Sequence, residues 1–294
     1  MDQNVLSGNG KGGGNSALPS KVMIAVNTYP GHGYCREEFV ERLKEIRDCH
    51  GNSEIVIAWN GKKRWGFKGL QVINYNPKPG EKGIDILLNK SNLLRNWFLK
   101  GDYTHFFSIE SDIIPPVNVL NQLLSREKDI VSGMYFIHTQ EYKIMKLEDI
   151  LNSRNQDVQW QAIKGAMSQG IGAAIVIRQK QIPTVWVIDG TRSRLAELND
   201  FFPLGGLKRV YSAGMGCLLA RREVIEDIEF KINYGSAQNQ FTDFCFHAEA
   251  YDLGYEAFVD TGIWCKHLHK DFDDRIFKTW FNVETYQELI ESRS

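Results

Sequence analysis

Apolar and polar residues alternate with two different periods along the first half of the chain. Short apolar runs rich in β-branched and aromatic residues are typical of buried strands, and longer segments repeat their apolar positions at helical spacing. The runs predicted as strands are residues 21–26, 53–59, 70–75, 104–109 and 129–136. The segments predicted as helices are residues 36–48, 83–101 and 117–124. Strands that alternate with helices predict an α/β fold, a mostly parallel sheet flanked by helices.

The second half of the chain is less regular, above all between residues 137 and 208. There we predict two short strands, which would pair as a hairpin, and a long loop of the length found in lids and binding elements. These strands are residues 172–178 and 184–189, and the loop is residues 191–206. Further on we predict a strand at 215–220, helices at 221–228 and 242–254, and two short strands within 256–269. The C-terminal half should therefore add a small antiparallel segment to the sheet.

Composition is that of an ordinary globular protein, with 43% hydrophobic and 24% charged residues among 294. A formal charge of -1 gives no general support for a polyanionic partner. The five cysteines contain no C-x-x-C pair, which argues against a disulfide framework and a zinc ribbon. Residues 1–20 are rich in Gly, Asn and Ser and are predicted to be disordered, so that residues 21–294 form one domain. No apolar run approaches the roughly 18 residues of a membrane span, and no signal peptide is evident, so a cytoplasmic location is expected.

The segment HFFSIESDIIPP carries the first candidate chemistry. Its apolar run delivers Glu110 and Asp112 to the end of a predicted strand, where residues two apart share one side of an extended backbone. Pro115 and Pro116 then end the strand, because proline cannot donate to a ladder. The carboxyl ends of strands are where open α/β sheets bind ligands, and paired carboxylates suit a divalent cation. The alternative interpretation is a solvated acidic turn.

In its order of motifs, the chain resembles GT-A fold glycosyltransferases that use nucleotide-sugar donors, especially family-2-like members from bacteria, archaea and their viruses. The segments that carry the resemblance are VNTYPG (26–31), KSNLLRNWFLKGDYTHFFSIESD (90–112), VSGMYF (131–136), SAGMGCLLARREV (212–224), FTDFCFHAEAYDLGYE (241–256) and IWCKHLH (263–269). Two positions differ from the family pattern: Glu110 stands where aspartate is usual, and Thr242 where an acidic residue is common. The resemblance implies a GT-A (Rossmann-like) fold, with residues 21–136 as the nucleotide-binding half and 137–294 as the acceptor-side half.

The resemblance also implies a reaction: metal-dependent transfer of a sugar from a nucleoside diphosphate sugar, with a UDP-sugar as the preferred expectation, to a hydroxyl acceptor. The expected metal is Mn²⁺ or Mg²⁺, held by Glu110, Asp112 and His267. His269 alternates with His267 on the same side of an extended segment and is the less favoured ligand. A surface or hydrogen-bonded role is the alternative for both, and the remaining histidines are interpreted as structural.

The resemblance also implies that Asp243 is the general base of an inverting transfer; it lies in the first turn of a predicted helix, whose dipole favours the ionised form. The alternatives are simple helix-start chemistry, or a role in orienting the acceptor if configuration is retained. The residues expected to contact the nucleotide-sugar donor are Asn27, Thr28, Tyr29, Pro30, Asn60, Lys90, Asn92, Ser111, Gly214 and Gly216. Turn chemistry explains several of these equally well, and the two glycines are equally compatible with tight packing.

Two other function classes stay open. A nucleotidyltransferase of related topology would need basic residues in the first turn to hold a triphosphate, and NTYPGHG at 27–33 contains no Lys or Arg. A catalytically silent module that binds sugars or nucleotides would leave the acids without a purpose. For a transferase, the compatible acceptors are a saccharide, a protein and a modified nucleic acid, while the lack of a membrane anchor disfavours a lipid-linked acceptor.

Overall fold

The computed structural model describes residues 20–62, 66–146, 173–234 and 242–268. Residues 1–19 of the predicted disordered N-terminus, and His269, lie outside these ranges. The strands are β1 (Val22–Thr28), β2 (Ser53–Trp59), β3 (Gln71–Asn74), β4 (His105–Glu110), β5 (Ile113–Ile114), β6 (Ile130–Met134), β7 (Phe136–Lys146), β8 (Ala173–Pro183), β9 (Val185–Asp189), β10 (Arg192–Leu195), β11 (Leu207–Val210), β12 (Ser212–Ala213), β13 (Cys217–Arg221), β14 (Ala257–Trp264) and β15 (Lys266–His267). The α-helices are α1 (Arg36–His50), α2 (Gly83–Lys100), α3 (Val119–Leu124), α4 (Arg222–Asp227) and α5 (Thr242–Asp252), and short 3-10 helices cover Pro30–Tyr34 and Leu198–Phe201.

The core of the molecule is an eight-stranded sheet in the order β11-β14-β6-β13-β4-β1-β2-β3. Neighbouring strands from β4 through β1 and β2 to β3 are parallel, as are β6 and β14, whereas β13 runs antiparallel to both of its neighbours. The predicted α/β class with a mostly parallel sheet flanked by helices is thus confirmed. From β1 the chain builds outward to β2 and β3 on one side and then returns to add β4 on the other. This reversal makes the carboxyl ends of β1 and β4 the topological switch point, where open α/β sheets bind ligands.

Both faces of the sheet are buried, which explains why its central strands are continuously apolar in sequence. Along β1, Ile24 and Val26 face one hydrophobic cluster and Met23 and Ala25 face the other. Helices α1 and α3 cover the first face, and α2, α4 and α5 cover the second. Among the described residues, no helix combines the length and the apolar character needed to span a bilayer.

The small antiparallel sheets differ from the prediction. The expected hairpin between residues 172–178 and 184–189 is wrong: β8 pairs with β7 over eleven positions from Phe136↔Pro183 onward, and β9 pairs with β10 and β12. The expected loop 191–206 is also partly wrong, since it contains β10 and a 3-10 helix. The two-residue loop Gly190-Thr191 joins β9 to β10, and Gly190 at its first position has the positive φ, 62°, that a tight hairpin turn requires. The β7–β8 pairing joins segments that are distant in sequence, so no local pattern predicts it.

Candidate functional site

The switch point of the sheet has a polar floor. Asn27 and Glu110 are register partners at the ends of β1 and β4. The neighbouring Thr28 hydroxyl donates to Ser111 Oγ at 2.8 Å, and both of these side chains are buried. The Asn27 side-chain nitrogen donates to the Leu87 carbonyl and to Ser91 Oγ on α2. Its Oδ1 is buried and has no hydrogen-bond partner among the described residues.

A two-residue strand brings His267 to Asp112. Immediately after Asp112, β5 pairs antiparallel with β15, which sets His267 opposite Ile113, and the Leu268 N–H donates to the Asp112 carbonyl at 2.7 Å. The His267 Nε2 atom lies 3.4 Å from Asp112 Oδ2. On the other side of the ring, Nδ1 is 2.8 Å from the Phe136 carbonyl, which can only accept, so the proton of the neutral ring is held at Nδ1. Residues more than 150 positions apart in sequence are thus adjacent, as the resemblance implied.

His32 is a third member of this group, which the sequence analysis missed by interpreting it as structural. It lies in the 3-10 helix Pro30–Tyr34 that follows β1, where its Nδ1 contacts the Ser111 hydroxyl. Its Nε2 atom is 3.8 Å from Asp112 Oδ2, the oxygen that His267 also faces. The sequence signal was its place in the turn after the first parallel strand, a common location for ligand-binding residues.

Asp112, His267 and His32 influence one another's pKa values. Burial acts to raise the pKa of Asp112, but the hydrogen bond and charge of His267, with the charge of His32, outweigh it and lower that pKa below its ordinary value. Burial acts to lower the pKa of His267, but Asp112 outweighs it and raises the pKa. For His32, burial dominates and the pKa is lowered. Asp112 therefore stays anionic, with one imidazole that readily takes a proton and one that resists it.

A second acidic group adjoins the first around Tyr135. Burial, followed by the charges of Asp112 and Asp243, raises the pKa of Glu110 to about 8. Burial also raises the pKa of Asp243, although the Phe244 N–H donates to its Oδ1 at 2.8 Å in the first turn of α5. Tyr135 is 5% exposed, and after burial the nearby charges of Glu110 and Asp243 further raise its pKa well above the ordinary value. Asp243 thus lies near enough to Glu110 for their charges to interact, and both act on the buried Tyr135. The sequence pattern did not single out Tyr135.

Tyr135 also explains the two glycines before β13. The Gly216 N–H donates to the Tyr135 hydroxyl at 3.2 Å, and a Cβ at Gly216 would lie 2.8 Å from Ile113 Cγ1 and 2.9 Å from Tyr135 Cζ. A Cβ at Gly214 would overlap the Tyr135 hydroxyl. Tight packing, the alternative interpretation of both glycines, is therefore what the structure contains. Their contact with a sugar stays a prediction.

Replacing Gly214 with alanine is expected to lower the free energy of unfolding by about 1–3 kcal/mol, because the new methyl group overlaps a buried ring that cannot swing away. Urea unfolding followed by circular dichroism measures the change. Gly83→Ala is the matched control, since its Cβ would meet no atom within 4 Å. Adding Tyr135→Phe to Gly214→Ala should restore part of the loss. An unfolding midpoint equal to that of the wild type in Gly214→Ala would contradict the packing argument.

Lys90 ties together the ends of two strands beneath the site. Its Nζ donates to the Thr28 carbonyl at 2.6 Å and to Asn60 Oδ1 at 3.3 Å, and the side chain is only 2% exposed. Burial lowers the pKa of this ammonium to about 8. These two hydrogen bonds stabilise the fold by joining the ends of β1 and β2. A direct contact between Lys90 and a donor phosphate stays a prediction.

The other residues expected near the nucleotide divide into two groups. Tyr29 is 46% exposed and packs against His32 with ring centroids 4.3 Å apart, and Pro30 is exposed beside it at the start of the 3-10 helix. Asn92, by contrast, uses both ends of its amide on the backbone of Phe230, at 2.9 and 3.1 Å. Tyr29 and Pro30 thus belong to the surface around the switch point. Asn92 instead holds the segment after α4 against helix α2.

The side chains around Asp112 meet some of the geometric requirements of a metal site. No group of three or more His, Cys, Asp or Glu side chains within the described ranges is assembled as a metal centre. Two ligand atoms each about 2.1 Å from one ion and about 90–110° apart would be about 3.0–3.4 Å from each other. The 3.4 Å separation between Asp112 and His267 meets this condition, and the 3.8 Å separation of His32 is slightly wider. Asp112 Oδ1 is also buried without a hydrogen-bond partner among the described residues, so Asp112 and His267 offer two of the ligands that a cation would need.

Comparisons with known proteins add little to this geometry. No protein-family model matches the chain, and no curated protein matches it. Among solved structures, the chain is similar to the crystal structure of A197 from STIV, with 11% sequence identity, 85% of this chain and 86% of that chain covered, and a TM-score of 0.43. A similarity at this level carries no information about function.

Proposed function

We propose that this protein is a glycosyltransferase that moves a sugar from a nucleoside diphosphate sugar to a hydroxyl acceptor, with a divalent cation as cofactor. The observation that carries the proposal is the meeting of Glu110, Asp112 and His267 at the switch point of the sheet, with Asp243 nearby. Carboxylates at the strand ends whose pKa values are shifted by burial and by neighbouring charges are typical of functional sites, and strand ends are where open α/β sheets bind ligands. The sequence resemblance to GT-A enzymes supports the same conclusion.

In this proposal the donor nucleotide lies across the carboxyl ends of β1 and β4. The unpartnered Asn27 Oδ1 can accept a hydrogen bond from the nucleotide sugar, and the exposed ring of Tyr29 offers a face on which the nucleotide base can stack. Asp112 and His267 would hold the cation, with Glu110 or His32 as a further ligand. An imidazole among the ligands favours Mn²⁺ over Mg²⁺. When bound, such a cation stabilises negative charge on a departing diphosphate.

Asp243 is proposed to act on the acceptor. A general base needs the ionised carboxylate, and its position in the first turn of α5 lets the helix dipole and the Phe244 N–H support that form against burial. The proton of the acceptor hydroxyl would move to Asp243 as that oxygen bonds to the sugar carbon and the diphosphate leaves. Glu110, whose pKa is raised to about 8, is mainly uncharged at neutral pH before a cation arrives, which limits its repulsion of Asp243.

The nucleotidyltransferase alternative is less well supported by the first turn. Lys90 is a basic residue that contacts that turn, but it is buried and already donates to Thr28 and Asn60. It is therefore poorly placed to hold a triphosphate in solvent.

A thermal-shift panel of nucleoside diphosphates, with Mn²⁺ or with a chelator, tests the proposed function. Ligand at about 100 times its Kd stabilises the native state by about 2.7 kcal/mol, so we expect a clear rise in Tm with at least one nucleotide and only when Mn²⁺ is present. Asp112→Ala should abolish the rise, because it removes the carboxylate shared by both histidines. Asp48→Asn on the exposed face of α1 is the matched control. A rise that is the same with the chelator, or that persists in Asp112→Ala, would refute the metal-assisted donor site.

A further inference from the structure

His32, Asp112 and His267 direct three polar side-chain atoms toward one another. Asp112 Oδ2 lies 3.8 Å from His32 Nε2 and 3.4 Å from His267 Nε2. These side chains come from three separate segments, namely the 3-10 helix after β1, the turn after β4 and strand β15. The side chains of His32, Asp112 and His267 are 17%, 16% and 12% exposed, so the group is not sealed from solvent.

Each of the two imidazoles is held at its other nitrogen, as imidazole ligands of metals usually are. His267 Nδ1 donates to the Phe136 carbonyl at 2.8 Å. His32 Nδ1 contacts the Ser111 hydroxyl, which also accepts from Thr28. A hydroxyl oxygen has two lone pairs, so Ser111 can accept from both. With Nδ1 protonated, each neutral ring has a bare Nε2 that faces the same carboxylate oxygen, and a shared cation would remove the repulsion between these acceptors.

The two separations are those expected between ligands of one ion. Ligand atoms about 2.1 Å from an ion and about 110° apart are about 3.4 Å from each other, which is the separation between Asp112 and His267. Ligand atoms about 2.2 Å from an ion and about 120° apart are about 3.8 Å from each other, which is the separation between Asp112 and His32. No finished centre of three such side chains exists within the described ranges, so these two separations and the orientation of the rings are what point to an ion.

The turn that carries His32 is tied to the strand that carries His267. The Tyr34 hydroxyl donates to the Leu268 carbonyl at 3.1 Å. The ring of His32 packs against those of Tyr29 and Tyr34, with centroids 4.3 and 5.9 Å away. These contacts limit the movement of the turn, so that His32 and His267 keep their relative positions.

We propose that His32 is the third protein ligand of a bound cation, together with Asp112 and His267, and that Ser111 is a positioning residue that holds the His32 ring. Two imidazoles and one carboxylate suit Mn²⁺ or Zn²⁺ better than Mg²⁺ or Ca²⁺, which prefer oxygen ligands. Three protein ligands leave a position open for an oxygen of a diphosphate or of water. The inference rests on the proposed function, since it specifies the cation of the same donor site.

Isothermal titration calorimetry of the full chain with Zn²⁺, Mn²⁺ or Mg²⁺ alone tests the ligand set. We expect one ion to bind per chain, most tightly for Zn²⁺ and least tightly for Mg²⁺. His32→Phe keeps a ring against Tyr29 but removes both nitrogens, so it should weaken Zn²⁺ binding by about 100-fold or more. His50→Phe is the matched control, since His50 lies at the end of α1 and contacts Asn121.

Ser111→Ala should weaken Zn²⁺ binding by about 10–100-fold, the usual cost of losing a group that orients a metal ligand. Ser125→Ala, which removes a hydroxyl bonded to the Gln122 carbonyl, is the matched control. ¹⁵N NMR of the histidine side chains separates positioning from general destabilisation. Without metal, His32 should be a single tautomer protonated at Nδ1, and Ser111→Ala should give a mixture of tautomers. Zn²⁺ should shift the Nε2 signals of two of the seven histidines, those of His32 and His267.

Equal Zn²⁺ affinity in His32→Phe and the wild type, absence of Zn²⁺ binding to the wild type, or a Zn²⁺-induced shift of His267 alone would overturn the proposal. A large loss in Glu110→Gln with no loss in His32→Phe would assign the third ligand to Glu110 instead. An unchanged His32 tautomer in Ser111→Ala would show that Ser111 does not position the ring. If near-ultraviolet circular dichroism shows that His32→Phe does not fold, the shifts of the wild-type imidazoles still decide.

Metal binding is measured without nucleotide, so the two proposals can fail separately. Binding of Zn²⁺ through two imidazoles, with no nucleotide raising the Tm, would keep this ligand set and remove the donor site. A Mn²⁺-dependent nucleotide shift that persists unchanged in His32→Phe would keep the donor site and remove His32 as a ligand.

Discussion

Asp243→Asn is expected to lower the rate of sugar transfer by about 10²–10⁴-fold while leaving nucleotide binding unchanged. The amide fills nearly the same volume and still accepts from the Phe244 N–H, but it cannot take a proton from the acceptor. Release of nucleoside diphosphate in the presence of a saccharide acceptor measures the rate, and the thermal shift with Mn²⁺ measures donor binding. Because burial raises the pKa of Asp243, the wild-type rate should fall as pH drops through that pKa. The residual rate of the Asp243→Asn variant should not show this fall at low pH.

Asp252→Asn, at the other end of α5, is the control for the same chemical change away from the site. It should retain the wild-type rate and its pH profile. Full transfer activity in Asp243→Asn would show that Asp243 is not the base, whether or not the thermal-shift result supports the donor site. Equal losses of transfer and of donor binding would instead indicate a structural role for its carboxylate.

Arg126→Met is expected to cost about 3 kcal/mol of folding free energy, the largest stability effect that we predict. Arg126 Nε is 2.6 Å from Asp260 Oδ2, and the Asp260 side chain is fully buried in β14. Removal of the guanidinium leaves a buried carboxylate whose described hydrogen bond comes from the Gly262 N–H at 2.9 Å. Urea unfolding, with ΔG extrapolated to water, measures the loss.

Arg209→Met serves as the control for the same substitution in an exposed ion pair of the same sheet. Arg209 is 62% exposed and its partner Glu256 is 47% exposed. The loss of folding free energy in Arg209→Met should therefore stay within about 1 kcal/mol. Adding Asp260→Asn to Arg126→Met should recover part of the stability, because a neutral amide is less costly to bury than a carboxylate. Equal losses in Arg126→Met and Arg209→Met would show that the burial of Asp260 does not matter.

The part of the site that the sequence predicted well is the part built from local patterns. Glu110 and Asp112 follow a strongly apolar strand and precede two prolines, and this pattern determines that they stand at a strand end. The approach of His267 to Asp112 was expected only through resemblance to a family, because the short β5–β15 pairing has no signature of its own. His32 and Tyr135 were missed because each becomes notable only through its distant neighbours.

By itself, the sequence determined the α/β class, the buried central strands and the position of the acidic pair, because backbone hydrogen bonding and the burial of apolar residues impose short periods that can be read directly from the chain. The tertiary structure alone decided that β8 pairs with β7 and that two imidazoles face one oxygen of Asp112. These features depend on contacts between segments far apart in sequence. Such contacts arise from the packing of the whole sheet, and a local pattern carries no record of which distant residue fills a given space.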